Sequence, residues 1–328
     1  MVRMEQMDAA EVSRLEEETN DRVRTMASEV PGLREALGDP GRVDRFLERM
    51  TADSIQWRGK KIHLEIFEAV QPRAAIVFHP GVGIYSRFYL CALALLSERG
   101  FACIGVDRPG HGFSHGKRGD CTVEDIVEVT QAVVDLASER YGAPVLTAGS
   151  SWGGITNFAT LPALRGVCAA VCHDLFTPGI PLYPSRRLET ALVRMLNRAA
   201  PGLGVPMGVL MPPKVMAALS ESPIMVDWLV HYRRDRLMCP WLTVRSVYSY
   251  VLGYKAPRPY REIDFPVLAL IGEKEQMLPK KRMKAQFERA AIPAGEWIEI
   301  PDAGHLLFHD HLIQALDAVE TWLERVLY

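Results

Sequence analysis

The stretch that decides the fold is Val145-Leu146-Thr147-Ala148-Gly149-Ser150-Ser151-Trp152-Gly153-Gly154. It begins as a short apolar run typical of a buried strand and continues into residues that suit a helix. Gly149, Ser151 and Gly153 fit the pattern G-x-S-x-G, whose turn is so tight that the outer positions must be small. Such a turn holds the serine at a strained backbone angle, with its hydroxyl exposed above the sheet edge and a helix N-terminus behind it. We therefore predict that Ser151 is a nucleophile, rather than an inert serine in a glycine-rich turn.

The composition is that of a globular protein with a large core. The chain has 328 residues, of which 48% are hydrophobic and 24% charged, and its net charge is −2. This near-neutral charge argues against a nucleic-acid partner. No apolar run is long enough to span a membrane, and the first residues contain no signal-peptide core. The six cysteines fit no metal-ligand spacing. We expect a soluble cytoplasmic protein without a cofactor.

Buried apolar strands alternate with amphipathic helices along most of the chain. This alternation predicts an α/β fold with a mostly parallel sheet and helices on both faces. Residues 54–174 and 263–328 are assigned to this core, and residues 175–262, rich in proline and aromatic residues, to a helical cap inserted after the sixth strand. Residues 1–53 form a helical extension, which packs on the core or mediates homo-oligomerisation. The sequence leaves this choice open.

The order of the motifs resembles the α/β-hydrolase fold over roughly residues 54 to 328. The resemblance depends on the serine turn and on three further segments: His79-Pro80-Gly81-Val82-Gly83, Asp107-Arg108-Pro109-Gly110-His111-Gly112-Phe113-Ser114 and Asp302-Ala303-Gly304-His305. Within that superfamily the chain is similar to serine hydrolases with a helical cap, such as monoglyceride lipases and proline iminopeptidases. The resemblance implies an eight-stranded sheet, and a structural role for the loop that begins at Asp107.

The general base is expected at His305. It follows a short strand and a glycine turn, as the family places its histidine, and a serine needs a base with a pKa near neutrality. His309 stands four residues further on, a helical spacing that two metal ligands could share. No H-E-x-x-H pattern accompanies the pair, so we expect no metal site and a surface or capping role for His309.

Two carboxylates compete for the role of triad acid. The family's usual position, after the seventh strand, holds Glu275 where an aspartate is normal. Asp174 follows the sixth strand, where pancreatic lipases and fungal zearalenone lactonases place their acid. We favour Asp174, because an aspartate fits the short reach to the imidazole and Glu275 departs from the family's pattern; Glu275 remains the alternative.

The oxyanion hole is expected to use the backbone N–H of Trp152 and one N–H from the loop after the third strand. Pro80 occupies the position of the family's first glycine in that loop, and proline has no N–H. The second donor is therefore Gly81 or, if the loop is one residue longer, Val82.

These residues predict a cofactor-free serine hydrolase that cleaves a carboxylic ester or lactone through an acyl-enzyme. The cap is rich in aromatic residues and methionines, which favours a small-molecule substrate that is bulky and apolar, with a zearalenone-type lactone among the candidates. Such side chains are also what the core of a cap needs. The alternatives are an aminopeptidase, which would need paired carboxylates in the cap, and a ligand receptor on a hydrolase scaffold.

Overall fold

The computed structural model describes residues 4–180, 187–211, 213–230 and 235–327. Its centre is a sheet of eight strands, and a second sheet of two short strands lies in the segment between the sixth and ninth strands of the chain. The strands are β1 (Thr51–Trp57), β2 (Lys60–Phe67), β3 (Ala74–His79), β4 (Phe101–Val106), β5 (Val145–Ser150), β6 (Ala169–His173), β7 (Gly204–Pro206), β8 (Trp241–Thr243), β9 (Val267–Gly272) and β10 (Gly295–Ile300).

Helices separate most of these strands. The α-helices are α1 (Ala9–Glu29), α2 (Pro31–Leu37), α3 (Arg42–Arg49), α4 (Leu90–Glu98), α5 (Val123–Tyr141), α6 (Trp152–Thr160), α7 (Arg187–Ala199), α8 (Met207–Leu210), α9 (Pro213–Met216), α10 (Pro223–Val230), α11 (Val244–Tyr248), α12 (Lys280–Ala290), α13 (Leu307–Asp310) and α14 (Leu312–Leu327). Short 3-10 helices cover Met4–Gln6, Ser86–Tyr89, Leu161–Ala163 and Tyr260–Glu262, and a π-helical turn covers Ser249–Gly253.

The large sheet has the strand order β1-β2-β4-β3-β5-β6-β9-β10. The six strands from β4 to β10 in this order run parallel, whereas β1 and β2 pair antiparallel and β2 runs antiparallel to β4. The predicted fold, a mostly parallel eight-stranded sheet with helices around it, is confirmed. Because parallel strands share one carboxyl edge, the loops after β3, β5, β6, β9 and β10 meet there.

Both faces of the sheet are covered, so β3, β4, β5, β6 and β9 are buried along their whole length and are predominantly apolar. Helices α4 and α14, together with α1–α3, cover one face and share a single apolar core with it. Helices α5, α6 and α12 cover the other face. The strands that end at the candidate active site therefore pack against helices on both faces of the sheet.

The helices before the sheet pack tightly on the core. A Cβ at Gly32 in α2 would lie 2.1 Å from the carbonyl oxygen of Asp310 in α13, so only glycine fits this approach. Apolar side chains of α1, α2 and α3, among them Met26, Leu33 and Phe46, are buried in the same cluster as α14. Strand β1 begins at Thr51, inside the range assigned to the extension. The division of the chain at residues 53, 174 and 262 remains a prediction.

The segment between β6 and β9 contains α7 to α11 and the antiparallel pair β7–β8, so its described part is not helical alone. Backbone hydrogen bonds join it to the core: the N–H of Cys239 donates to the carbonyl of Gly83 at 2.7 Å, and that of Thr243 to Gly119 at 2.9 Å. Within the described ranges, none of the helices has the length and apolar character that a membrane crossing requires.

Candidate active site

Ser151 stands between β5 and α6 on a strained backbone, with φ 54° and ψ −122°. A Cβ at Gly149 would lie 2.3 Å from the carbonyl oxygen of Gly153, and a Cβ at Gly153 would lie 1.9 Å from that of His79. Both glycines are therefore required by the turn, as the sequence pattern predicts. The serine is more enclosed than expected from sequence, with only 7% of its surface exposed.

The side chain of His305 links Ser151 to a carboxylate. Its Nε2 lies 2.8 Å from the hydroxyl oxygen of Ser151, and its Nδ1 lies 2.7 Å from Oε2 of Glu275. The other carboxylate oxygen of Glu275 accepts the backbone N–H groups of Met277 and Leu278 at 2.6 and 2.9 Å. A carboxylate that accepts at Nδ1 fixes the tautomer with hydrogen on Nδ1, which leaves Nε2 free to take the serine proton.

Charge and burial shift the pKa values of His305 and Glu275 in opposite directions. Burial disfavours the imidazolium, yet the acidic groups around it, Asp174 and Glu275, outweigh burial and hold the pKa of His305 above its ordinary value. Burial would raise the pKa of Glu275, but the charge of His305 and hydrogen bonds from His305 and Leu278 lower it overall. The pair is thus arranged as an anion beside a base that gains a proton readily.

Asp174, the favoured acid of the sequence analysis, lies at the same imidazole without a hydrogen bond. Its Oδ2 is 3.2 Å from Nδ1 of His305 and 3.4 Å from Nε2 of His173, and neither carboxyl oxygen has a hydrogen-bond partner among the described residues. Burial, and the charge of Glu275 beside it, hold the pKa of Asp174 well above its ordinary value. The geometry favours Glu275, because its longer side chain is anchored by two backbone N–H groups and reaches Nδ1 directly.

The two predicted sources of oxyanion donors flank the serine turn. Trp152 is the first residue of α6, immediately after Ser151. In the loop after β3, the carbonyl oxygen of Gly81 accepts a hydrogen bond from Nη2 of the buried Arg108 at 2.5 Å. A trans peptide points its C=O and N–H in opposite directions, so this bond fixes the N–H of Val82 on the side away from Arg108. The choice between Gly81 and Val82 stays a prediction.

The loop that begins at Asp107 has a structural role. The carboxylate of Asp107 accepts hydrogen bonds from the backbone N–H groups of Ser86 and Phe113 at 2.7 and 2.9 Å. A Cβ at Gly112, where φ is +49°, would lie 2.0 Å from a carboxylate oxygen of Asp107. Asp107 thereby joins two loops of the sheet edge, in agreement with the structural role expected for it.

His173 is a residue of the site that the sequence analysis did not single out. Its Nδ1 accepts the backbone N–H of Ser151 at 3.3 Å and lies 2.9 Å from the hydroxyl of Ser150. Burial and the charge of His305 lower the pKa of His173 to about 3, so the ring is neutral with its hydrogen on Nε2. The register between β5 and β6 is the information that would have identified His173, because the two strands pair so that Ser150 lies opposite His173.

Two aromatic rings of the inserted segment pack against Trp152, the residue after the serine. The ring of Trp152 lies 4.6 Å from that of Tyr250 and 6.3 Å from that of Phe176, measured between centroids. Phe176 and Tyr250 are buried, as are four methionines of the inserted segment: Met207, Met216, Met225 and Met238. Of the three rings, Trp152 is the one that is partly exposed beside Ser151.

One group of side chains in the described part of the chain has metal-ligand geometry: ligand atoms of His173, Asp174 and His305 lie within 4.8 Å of one another. The nitrogen that His305 would use already faces Glu275, so the cluster is also explained by hydrogen bonding. Of the two roles expected for His309, a surface position is wrong, because the side chain is buried. Its Nε2 lies 3.0 Å from the carbonyl oxygen of Phe88.

Comparisons with known proteins agree with the fold and with the resemblance drawn from the motifs. The family model described as serine aminopeptidase, S33 matches residues 70–311. A monoacylglycerol lipase of Mycolicibacterium smegmatis is 24% identical over 267 residues, which cover 77% of this chain and 88% of that protein.

Solved structures give the same picture. The monoacylglycerol lipase of Paleococcus ferrophilus superposes with a TM-score of 0.65 at 25% identity, covering 80% of this chain and 98% of that one. A soluble variant of the Saccharomyces cerevisiae monoglyceride lipase gives a TM-score of 0.68 at 15% identity, covering 84% of this chain and 95% of that one. The yeast structure shows the fold, and the matches to the Mycolicibacterium and Paleococcus enzymes support an ester hydrolase. Because the family model spans well over half of the chain, the chain belongs to the serine aminopeptidase S33 family of the α/β-hydrolase superfamily of serine hydrolases.

Proposed function

We propose that the protein hydrolyses a carboxylic ester through an acyl-enzyme on Ser151. The observation that supports this most directly is the 2.8 Å contact between the Ser151 hydroxyl and Nε2 of His305, on a turn strained in the way a nucleophile requires. As the serine oxygen bonds to the ester carbon, its proton moves to Nε2. The same proton then passes to the departing alkoxide, which leaves as an alcohol, and water releases the acid by the reverse sequence.

Glu275 holds the imidazole in this mechanism. Its carboxylate accepts the Nδ1 hydrogen, keeps Nε2 as the proton acceptor and compensates the charge of the imidazolium that forms during attack. The negative oxygen of the tetrahedral intermediate would accept hydrogen bonds from the N–H of Trp152 and from Gly81 or Val82. Each of these groups is present before substrate binds, so little reorganisation accompanies the reaction.

The substrate we propose is an ester with an apolar acyl chain, of the monoacylglycerol type. Two observations support it. The ring of Trp152, packed against Phe176 and Tyr250, borders the serine turn. The two monoacylglycerol lipases compared above match this chain over most of their length. A lactone is the narrower form of the same proposal, since ring opening uses the same groups and leaves the alcohol attached to the acid.

An aminopeptidase is the second candidate, because the family description names that activity. It would need a free pair of carboxylates to hold an α-ammonium group. Asp227 and Asp235 line one cavity of about 170 Å³ beneath α10, but Ser151 is absent from its described lining. Asp235 is also engaged, by Arg22 at 3.0 Å and by the hydroxyl of Tyr85 at 2.8 Å. These contacts favour the esterase.

The test is a substrate panel combined with a labelling experiment. Wild type and Ser151→Ala would be assayed on p-nitrophenyl esters of increasing chain length, a monoacylglycerol, aryl lactones and aminoacyl anilides. We expect ester turnover by wild type, a fluorophosphonate label on Ser151, and a loss of at least about 10⁴-fold in kcat in the variant. Turnover of anilides alone would replace the esterase with the aminopeptidase, and labelling that persists in Ser151→Ala would refute the nucleophile.

A further inference from the structure

We propose that Asp174 is a second acid of this site, a positioning residue that acts with His173 and can replace Glu275 at His305. The inference rests on the proposed function, because it assumes that His305 is the base for Ser151. It goes beyond a choice between two candidate acids: both carboxyl groups belong to the working site, in different protonation states.

The contacts of Asp174 close a ring around the nucleophile. The backbone N–H of Ser151 donates to Nδ1 of His173, and Nε2 of His173 lies 3.4 Å from Oδ2 of Asp174. The same oxygen lies 3.2 Å from Nδ1 of His305, whose Nε2 contacts the hydroxyl of Ser151. Asp174 thereby joins the backbone amide of the serine to the imidazole that must meet its hydroxyl.

Only one of the two carboxyl groups can be charged in the resting site. Asp174, Glu275 and His305 are enclosed, and two anions this close without a cation would repel strongly. Glu275 receives three N–H groups, whereas Asp174 has no donor in hydrogen-bond geometry among the described residues. The anion therefore resides on Glu275, and Asp174 keeps its proton.

The remaining surroundings of Asp174 do not alter this assignment. His173 on β6 is neutral, since burial lowers its pKa to about 3. Tyr89, from the helix after β3, is the other titratable group whose pKa responds to Asp174, and burial raises that pKa to about 12, so its hydroxyl keeps its proton. The titratable groups facing Asp174 are thus His305, Glu275, His173 and Tyr89. Of these four, only His305 changes charge near neutral pH, because the pKa of Glu275 is lowered and that carboxylate stays ionised.

Two replacements of Glu275 leave the imidazole of His305 in different states, and only one of them allows Asp174 to act. In Glu275→Gln, the oxygen that accepts the two backbone N–H groups is retained, so the amide NH₂ faces Nδ1 and forces hydrogen onto Nε2, the wrong tautomer. In Glu275→Ala no group opposes Nδ1–H, and Asp174 is the carboxyl that remains beside it. With the charge of Glu275 gone, Asp174 can ionise and hold the imidazolium.

The experiment measures kcat/KM for an ester that wild type turns over, in Glu275→Ala, Glu275→Gln, Asp174→Asn and the double variant Asp174→Asn/Glu275→Ala. We expect Glu275→Ala to be at least about tenfold more active than Glu275→Gln, because only the glutamine imposes the wrong tautomer. Asp174→Asn should cost about fivefold with Glu275 present and at least about fiftyfold in its absence, a coupling that independent sites do not show.

The pH profile gives a readout that a purely structural role would not move. The acid limb of kcat/KM reports the pKa of the base in the free enzyme. It should lie at clearly lower pH in the double variant than in Glu275→Ala, because a buried imidazolium without any anion loses its proton sooner.

Three results would overturn the inference: equal activity of Glu275→Ala and Glu275→Gln, the same fold loss from Asp174→Asn in both backgrounds, or an unmoved acid limb. If Asp174→Asn does not fold, as judged by its circular dichroism, Asp174→Gly takes its place in both backgrounds, because glycine suits the positive φ of 66° at this position. Failure of the proposed function looks different, since wild type itself would then show neither turnover nor fluorophosphonate labelling.

Discussion

The core of the molecule and the segment between β6 and β9 hold their residues in different ways. In the core, β3, β5, β6 and β9 are buried throughout, and the polar groups in the loops after them bond to one another. In the inserted segment, β7 and β8 have three residues each. Four of the five large hydrophobic side chains exposed among the described residues lie in that segment: Leu192, Met195, Leu203 and Val209.

This contrast separates two tasks. The reacting groups need positions fixed within fractions of an ångström, which a sheet packed on both faces provides. Selection of the ester needs apolar surface at the border of the site, and the insertion supports that surface through Tyr250, which is buried against Trp152. Changes in the core should therefore alter the rate of the chemical step, and changes in the insertion should alter which ester is bound.

The largest effect is expected when the carboxylate of Glu275, in the core, is replaced. Glu275→Gln should lower kcat by about 10³- to 10⁴-fold, because the imidazole is held in the wrong tautomer and loses its countercharge. Steady-state kinetics on a p-nitrophenyl ester measures the loss. The matched control is Glu273→Gln in the same loop, whose carboxylate contacts the backbone N–H of Asp302 rather than His305. A similar loss in both variants would contradict the assignment of Glu275.

A smaller effect sharpens the account of the core through pH. Because the acidic groups around it hold the pKa of His305 above its ordinary value, the neutral base predominates only above that raised pKa. We expect kcat/KM to rise about tenfold per pH unit on an acid limb centred above about 6.5, the ordinary histidine pKa, and to level off above it. A limb centred well below that pH would mean that the carboxylates do not stabilise the imidazolium.

The inserted segment is tested by Tyr250→Ala, which removes the ring against Trp152. For a long-chain ester, KM should rise about tenfold with kcat changed by less than about threefold. The ring of Trp152 loses the buried ring that supports it, so ground state and transition state lose the same apolar contact with Trp152. For p-nitrophenyl acetate, whose acyl group is too short to need that surface, KM should stay within about twofold of the wild-type value. A fall in kcat on both esters would mean that the insertion also positions the reacting groups.

The smallest effect is expected on treatment with a chelator. All groups assigned to the mechanism are side chains and backbone amides, so EDTA should change kcat/KM by less than about 1.5-fold, within the range of a non-specific ionic effect. Loss of activity in EDTA that added zinc restores would instead assign the cluster of His173, Asp174 and His305 to a metal.

The features of the fold and of the site that the sequence predicts are those that neighbouring residues determine. The strand–turn–helix around Ser151 and the glycine turn before His305 are set by neighbouring residues, and the fold follows from the alternation of apolar strands and helices. The competition between Asp174 and Glu275 is not local. The two carboxyl groups differ by 0.5 Å, between 3.2 and 2.7 Å, in their distance to one nitrogen of His305, where loops from two neighbouring strands converge.

The sequence did not indicate the role of His173 for a related reason. Its contact with the amide of Ser151 depends on the register of β5 against β6, which no pattern within either strand specifies. The burial of His309 likewise depends on the helix after β3 packing over α13. The motifs predict local structure, and they do not predict contacts between segments that are distant in sequence.

The close approach of Gly32 to the backbone of Asp310 has a consequence for how the chain folds during synthesis. Helices α1 to α3 leave the ribosome well before α13 and α14, yet they bury the same apolar cluster. Their packing surface is therefore incomplete until the residues after His305 have been made. Contacts of such large sequence separation form slowly. Until then the side chains of Met26, Leu33 and Phe46 lack their final packing partners, and exposed apolar surface of this kind promotes aggregation.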